Sequence, residues 1–228
     1  MRITPDAEFK HWILEKIESR EFKERSGVHC SDLIYCLNKQ ALRRLQPLPI
    51  DESTLLLFSL GYAIQRWLTG QDKDEEEVCQ DGIIVTKDAL YKGAPWEVKA
   101  TYTSSARDVN DNVAWIRQIK AQCYTTGTDH AYLSRCEVMG DWKFPKKGSS
   151  ESPKRPTLST YKLVFTPDEL CKHWEWLKHR RDQFQQILDS QALLPKIEAV
   201  PSGQYWECGM CAYNNNPCPY GGKEEKEE

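Results

Sequence analysis

The chain has no run of 18 apolar residues, and Met1 to Lys16 offers no apolar stretch followed by a small-residue cleavage site. A membrane-spanning helix needs about 20 such residues and a secretory signal needs that stretch, so the cytosol is the expected location and no membrane partner is expected. There is no internal repeat, and without a Walker A pattern this chain is no P-loop motor. An excess of positive charge is also missing, since 31 Lys and Arg stand against 34 Asp and Glu, for a net charge of −3. What is present is a 228-residue chain, 39% hydrophobic and 29% charged, with nine cysteines. That length supports a buried core and one domain over residues 1–228. An odd cysteine count in a long chain without a signal argues for thiols, some of them metal ligands, rather than a disulfide framework.

The charge divides unevenly. Asp72 to Glu77 carries −4 and Lys223 to Glu228 carries −2, leaving +3 on the rest. Both acidic runs read as solvated, the first a loop and the second a tail over 221–228. Basic residues gather in Lys143 to Arg155, whose Pro, Gly and Ser mark an exposed loop between strands. Two readings stay open for it, a solvated loop or a contact with a nucleic-acid backbone.

Helical and extended segments alternate. Ser31 is placed as the N-cap of a helix to Leu45, with Leu33, Ile34, Leu37, Ala41 and Leu45 at helical spacing, and Ser53 to Leu68 forms a second helix. Gly82 to Leu90 and Trp96 to Thr103 read as strands joined through Lys92-Gly93. Asn110 to Thr125 is helical, Ala131 to Met139 and Tyr161 to Phe165 are extended, and Thr166-Pro167-Asp168-Glu169 opens a long helix with a capping box. The order predicts an α/β fold with a mixed sheet.

The hairpin carries the first chemistry. Glu97 and Lys99, two apart in a strand, share a face, while Trp96 and Val98 point to the core. Asp88 on the preceding strand can lie across from Glu97. Two carboxylates with a backbone carbonyl, that of Val98, make a hard-oxygen site suited to Mg²⁺ or Mn²⁺. Such an ion polarises a phosphoryl oxygen and supplies hydroxide at neutral pH, and a neighbouring Lys orients the water or stabilises developing charge. Asp81 is the rival for the strand aspartate, ranked second because Gly82 follows it.

The second pattern is Cys208, Cys211 and Cys218, a C-x₂-C-x₆-C with Pro219 after the last. Three thiols so close select zinc or an iron–sulfur cluster, and either needs a fourth ligand from elsewhere. Cys36 and Cys30 are the available candidates. Cys79, Cys123, Cys136 and Cys171 sit among apolar positions and read as buried thiols.

With Asp88-Ala89-Leu90, Gly93 and Glu97-Val98-Lys99 in this order, the chain resembles the PD-(D/E)XK nucleases of the RecB and lambda-exonuclease branch. From Ser31 to Tyr220 it is similar to the CRISPR-associated four-cysteine nucleases and the AddB-type nuclease domain. That resemblance implies a PD-(D/E)XK nuclease-like mixed β-sheet flanked by helices, and catalytic roles for Asp88, Glu97, Lys99 and Gln118, the last on the helix after the hairpin. It implies a 4Fe-4S cluster on Cys36, Cys208, Cys211 and Cys218, held by a module of residues 28–50 and 202–220. The implied activity is trimming of single-stranded DNA ends, feeding CRISPR integration proteins or serving phage or repair recombination. The family's Gly-x-x-x-His appears here as Gly61-Tyr62-Ala63-Ile64-Gln65, so Gln65 stands where a metal-binding His is expected. Two other readings remain, a DNA-binding protein with a weakened nuclease centre and a zinc-stabilised four-cysteine binding module.

Overall fold

Two-residue turns fix the strand registers. Asp81-Gly82 and Lys92-Gly93 all have positive φ (49°, 71°, 53° and 79°), the left-handed pair that matches the right-handed twist of a hairpin. The computed structural model describes residues 4–21, 26–70, 76–103, 105, 107–140 and 142–220. Its elements are α1 (Ala7–Glu21), β1 (Val28–His29), α2 (Cys30–Leu33), α3 (Leu37–Leu45), α4 (Glu52–Thr69), β2 (Glu76–Gln80), β3 (Ile83–Lys87), β4 (Ala89–Tyr91) and β5 (Ala94–Tyr102). After these come α5 (Val113–Thr126), β6 (His130–Met139), β7 (Thr157–Val164), α6 (Pro167–Ser190) and α7 (Lys196–Ala199).

The strands make two mixed sheets, ordered β1-β3-β2 and β4-β5-β6-β7. The chain passes from the first to the second at Asp88, between β3 and β4. The expected single strand Gly82 to Leu90 is therefore two strands in two sheets. The hairpin through Lys92-Gly93 is the short β4–β5 pair, with Ala89 opposite Trp96. β5 and β6 run parallel, and α5 is their crossover. The acidic run is partly a strand, because Glu76 and Glu77 pair with Lys87 and Thr86 in β2; residues 71–75 and 221–228 lie outside the described residues.

The long helix α6 packs on the helices α2, α3 and α5. Thr166 and Glu169 form the capping box at the start of α6, with Thr166 N donating to Glu169 Oε2 at 2.9 Å. Trp174, Leu177, Phe184 and Ile187 from α6 pack with Leu33, Ile34, Leu37, Ile83 and Val85. Each large apolar side chain so buried contributes roughly 1.5–3 kcal/mol. A second cluster joins Ile119 and Cys123 of α5 to Ala131 and Leu133 of β6.

Three expectations are corrected. The helix from Ser31 to Leu45 is broken, since the chain leaves α2 at Ile34 and re-enters helix with Cys36 as the N-cap of α3. Arg180 of α6 is the reason: its guanidinium donates to the Leu33 and Tyr35 carbonyls, which a continuous helix would need for itself. Cys79 and Cys171 are exposed, on the edge strand β2 and on the outer face of α6, whereas Cys123 and Cys136 are buried. Finally, Glu97 rather than Trp96 is the buried one: it is 1% exposed beneath α5, bonded to Gln122, and its neighbour Leu133 belongs to the second cluster. Among the described residues no helix is long and apolar enough to cross a membrane.

Candidate active site and cysteine pocket

Asp88, Glu97, Lys99 and Gln118 come together from the bend before β4, from β5 and from α5. Asp88 Oδ2 accepts from Val98 N at 2.7 Å, continuing the β4–β5 register past Ala89 and setting the aspartate beside Glu97. Glu97 is 1% exposed. One of its oxygens pairs with Lys99 Nζ, and the other accepts from Gln122 Nε2 at 2.5 Å. Lys99 Nζ also donates to Gln118 Oε1 at 3.0 Å. Burial by itself would lower the Lys99 ammonium, but the carboxylates of Glu97 and Asp88 reverse this and hold it above its usual range. It is therefore a cation at neutral pH, attracted by two carboxylates at one edge of the sheet.

Gln122, fully buried, also donates to the Thr86 carbonyl at 2.9 Å, so it ties α5 to β3 and fixes the Glu97 carboxylate. Sequence reasoning did not single it out. The signal was its place four residues after Gln118, on the same face of the helix.

The other expected residues fall as follows. Asp81 is a turn residue whose Oδ2 accepts from Trp174 Nε1 at 2.7 Å, away from Glu97. Gln65 lies half-buried on α4, the helix packed against β5. Cys30 is buried within electrostatic reach of Glu97 and Lys99, and burial pushes its thiol up to about 12. Lys143 to Arg155 is an exposed connection between β6 and β7, pinched where Lys143 and Lys154 exchange backbone hydrogen bonds of 2.9 and 3.1 Å.

The break after α2 aims Cys36 at the C-terminal segment. Cys36, Cys208, Cys211 and Cys218 line one pocket of about 320 Å³ with Lys39, Glu207 and Tyr213, and Cys30 is not part of it. All four thiols are free. Burial raises the Cys36 thiol to about 11 and raises Cys208 as well. Glu207 Oε2 accepts from Cys36 N at 3.4 Å, while its buried Oε1 has no partner among the described residues. The pocket wall is closed by Tyr213, whose hydroxyl donates to the Gln46 carbonyl at 3.0 Å.

Both places were tested against the groups that the resemblance implies. At the first, two carboxylates already gather a positive charge, and their hard oxygens with the Val98 carbonyl suit a small divalent cation. At the second, four free thiols line one pocket, and soft thiolates suit zinc or an iron–sulfur cluster. Among the described residues no three His, Cys, Asp or Glu side chains are gathered to hold a single metal ion.

No protein-family model and no curated protein matches the chain. Among solved structures it is similar to that of SSO0001, with a TM-score of 0.56 and 14% identity over 94% of this chain and 98% of that one. The phage-related exonuclease from Haemophilus somnus 129PT aligns with a TM-score of 0.45 and 12% identity, over 74% of this chain and 98% of that one. The likeness to SSO0001 establishes a shared mixed α/β fold along nearly the whole chain.

Proposed function

We propose that the protein is a metal-dependent DNA nuclease that trims single-stranded ends at the Asp88–Glu97–Lys99 centre, with a structural 4Fe-4S cluster on Cys36, Cys208, Cys211 and Cys218. The observation that carries the proposal is the convergence of two carboxylates, one ammonium and one amide from three elements on a single spot. Asp88, Glu97 and the Val98 carbonyl would hold Mg²⁺ or Mn²⁺. When bound, such an ion supplies Lewis acidity and an activated water for phosphodiester hydrolysis. The chain's own residues then have separate tasks. Gln122 keeps the Glu97 carboxylate in one orientation. Lys99, held cationic, stabilises negative charge on a phosphoryl oxygen, and Gln118 positions the Lys99 ammonium that it now accepts from. The exposed basic stretch Lys143 to Arg155 offers charge for neighbouring phosphates.

The cluster reading is supported by four free thiols around one pocket. A single zinc ion needs sulfurs about 2.3 Å from one centre, whereas a cluster takes its cysteines at the corners of a larger body.

Mn²⁺ titration beside a cleavage assay separates the roles. Asp88→Asn should lose both Mn²⁺ binding and cleavage. Lys99→Met should keep Mn²⁺ binding yet lose cleavage on the order of 100-fold. Mn²⁺ binding unaltered in Asp88→Asn and Glu97→Gln would remove these carboxylates from the metal site.

A further inference from the structure

A second cleft of about 440 Å³ opens between the N-terminal half of α5 and the cysteine-bearing segment, with Tyr35, Trp115 and Trp206 among its walls. Tyr35, Trp115, Trp206, Arg107 and Asp111 line it, with Tyr35 also packed against the main core and Trp115 against the second cluster. Trp206 is 49% exposed, so a large ring stands in solvent at the rim. Gln204, 2% exposed, lines the cleft from below. Its Oε1 accepts from Arg117, which fixes the amide orientation and leaves the buried Nε2 with no acceptor among the described residues. Buried donors are normally paired, so this one is an exception in the wall of the cleft.

The cleft adjoins the active site. Trp115 precedes Gln118 by three residues, so the two share a helix face and stand about 4.5 Å apart along its axis. Tyr35 lies within electrostatic reach of Lys99 and Glu97. A strand with a phosphate at Lys99 would thus bring a neighbouring nucleotide over Trp115 and Tyr35.

We propose that the cleft between Tyr35, Trp115 and Trp206 is a stacking subsite for one nucleobase of a single strand, adjacent to the phosphate seated at Lys99. The proposal rests on the nuclease reading for its substrate class. Aromatic rings accept any base face, and Arg107, which also lines the cleft, is placed to meet the backbone phosphate. A base held in a duplex is already paired and stacked and is not free to enter, so the cleft favours single strands. Because Trp206 and Gln204 belong to the cysteine-bearing segment, that segment builds one wall of the substrate path.

The test uses the full chain, EDTA to prevent cleavage, and fluorescence anisotropy with labelled oligothymidylate and with an abasic strand of equal length. Trp206→Ala and Trp115→Ala should each weaken oligothymidylate binding on the order of 10-fold and leave abasic-strand binding unchanged. Trp206→Phe should keep most of the affinity. Trp67→Ala, an exposed tryptophan on α4, should change neither. Equal losses on both strands would assign the rings to structure or backbone contact and overturn the subsite, as would unaltered oligothymidylate affinity in both variants or no binding by the wild type. The nuclease reading is judged separately. If the wild type cleaves with Mn²⁺ but the variants bind normally, only the subsite fails; if the base-dependent loss appears without cleavage, only the nuclease reading fails.

Discussion

His173 illustrates how a single side chain can set a pH limit away from the active site. It sits on α6, stacked on Trp176 at 5.3 Å, with Nε2 2.8 Å from the Arg117 carbonyl. A carbonyl only accepts, so Nε2 carries a proton. Burial, with the nearby Lys120 and Arg117 charges, lowers its pKa from 6.5 to about 4. The unfolded chain therefore takes up this proton at higher pH than the folded one. The resulting stability is fully present above 6.5 and is lost as pH falls toward about 4. Urea unfolding at about pH 7.5 and about pH 4.5 should show a larger loss for the wild type than for His173→Gln, which keeps a donor but does not titrate. Equal losses would mean that His173 is solvated. Gln122 belongs to the same scale: its amide oxygen is buried without a partner among the described residues, while its nitrogen serves both Thr86 and Glu97.

At the scale of elements, the break between α2 and α3 matters most, because it turns Cys36 toward the other thiols. Arg180, 3% exposed, holds that break with bonds to the carbonyls of Leu33 and Tyr35, and it also reaches Glu198 at 3.2 Å and Ala199 at 3.0 Å. Arg180→Met leaves these buried acceptors unpaired and should cost roughly 3 kcal/mol or more in chemical denaturation. A loss below about 1 kcal/mol would show that the break forms without the arginine. The same element marks what could be read from sequence. That Glu97 and Lys99 meet was legible because a strand's period is local, whereas the place of Asp88 at a bend between two sheets was not. The capping box at Thr166 was legible for the same reason. The break at Ile34 to Cys36 was not, since the apolar spacing continues through it and the group that interrupts it lies 145 residues away. Nor was β2, whose charged residues conceal a strand that only the Asp81-Gly82 turn announces.

Segments far apart in the sequence close on one another. Asn38 exchanges hydrogen bonds with Leu194 at 2.7 and 2.9 Å, Arg117 bonds Gln204 and the Ser202 carbonyl, and Glu207 meets Cys36 across 171 positions. A group bound by all four thiols would bind the folded chain and not the unfolded one, so its binding energy would become folding energy. Cys208→Ala should accordingly lose most iron and acid-labile sulfide and show a lower thermal midpoint, and Cys36→Ala should do the same. Cys30→Ala should retain iron, because Cys30 stands outside the pocket. Zinc in place of iron and sulfide in protein prepared without oxygen would contradict the cluster.

The same closure sets the cysteine segment beside α5, the helix that carries Gln118 and Gln122 to Glu97. The nuclease reading depends on what happens at that glutamate. The deciding measurement is cleavage of end-labelled single-stranded DNA with and without Mn²⁺ by the wild type and by Glu97→Ala, with DNA binding measured in parallel. Shortening of the strand by the wild type only with the metal, abolished in Glu97→Ala while binding persists, is the predicted result. Wild-type protein that binds the strand and leaves it intact with Mn²⁺, or a Glu97→Ala variant that cuts as fast as the wild type, would contradict it.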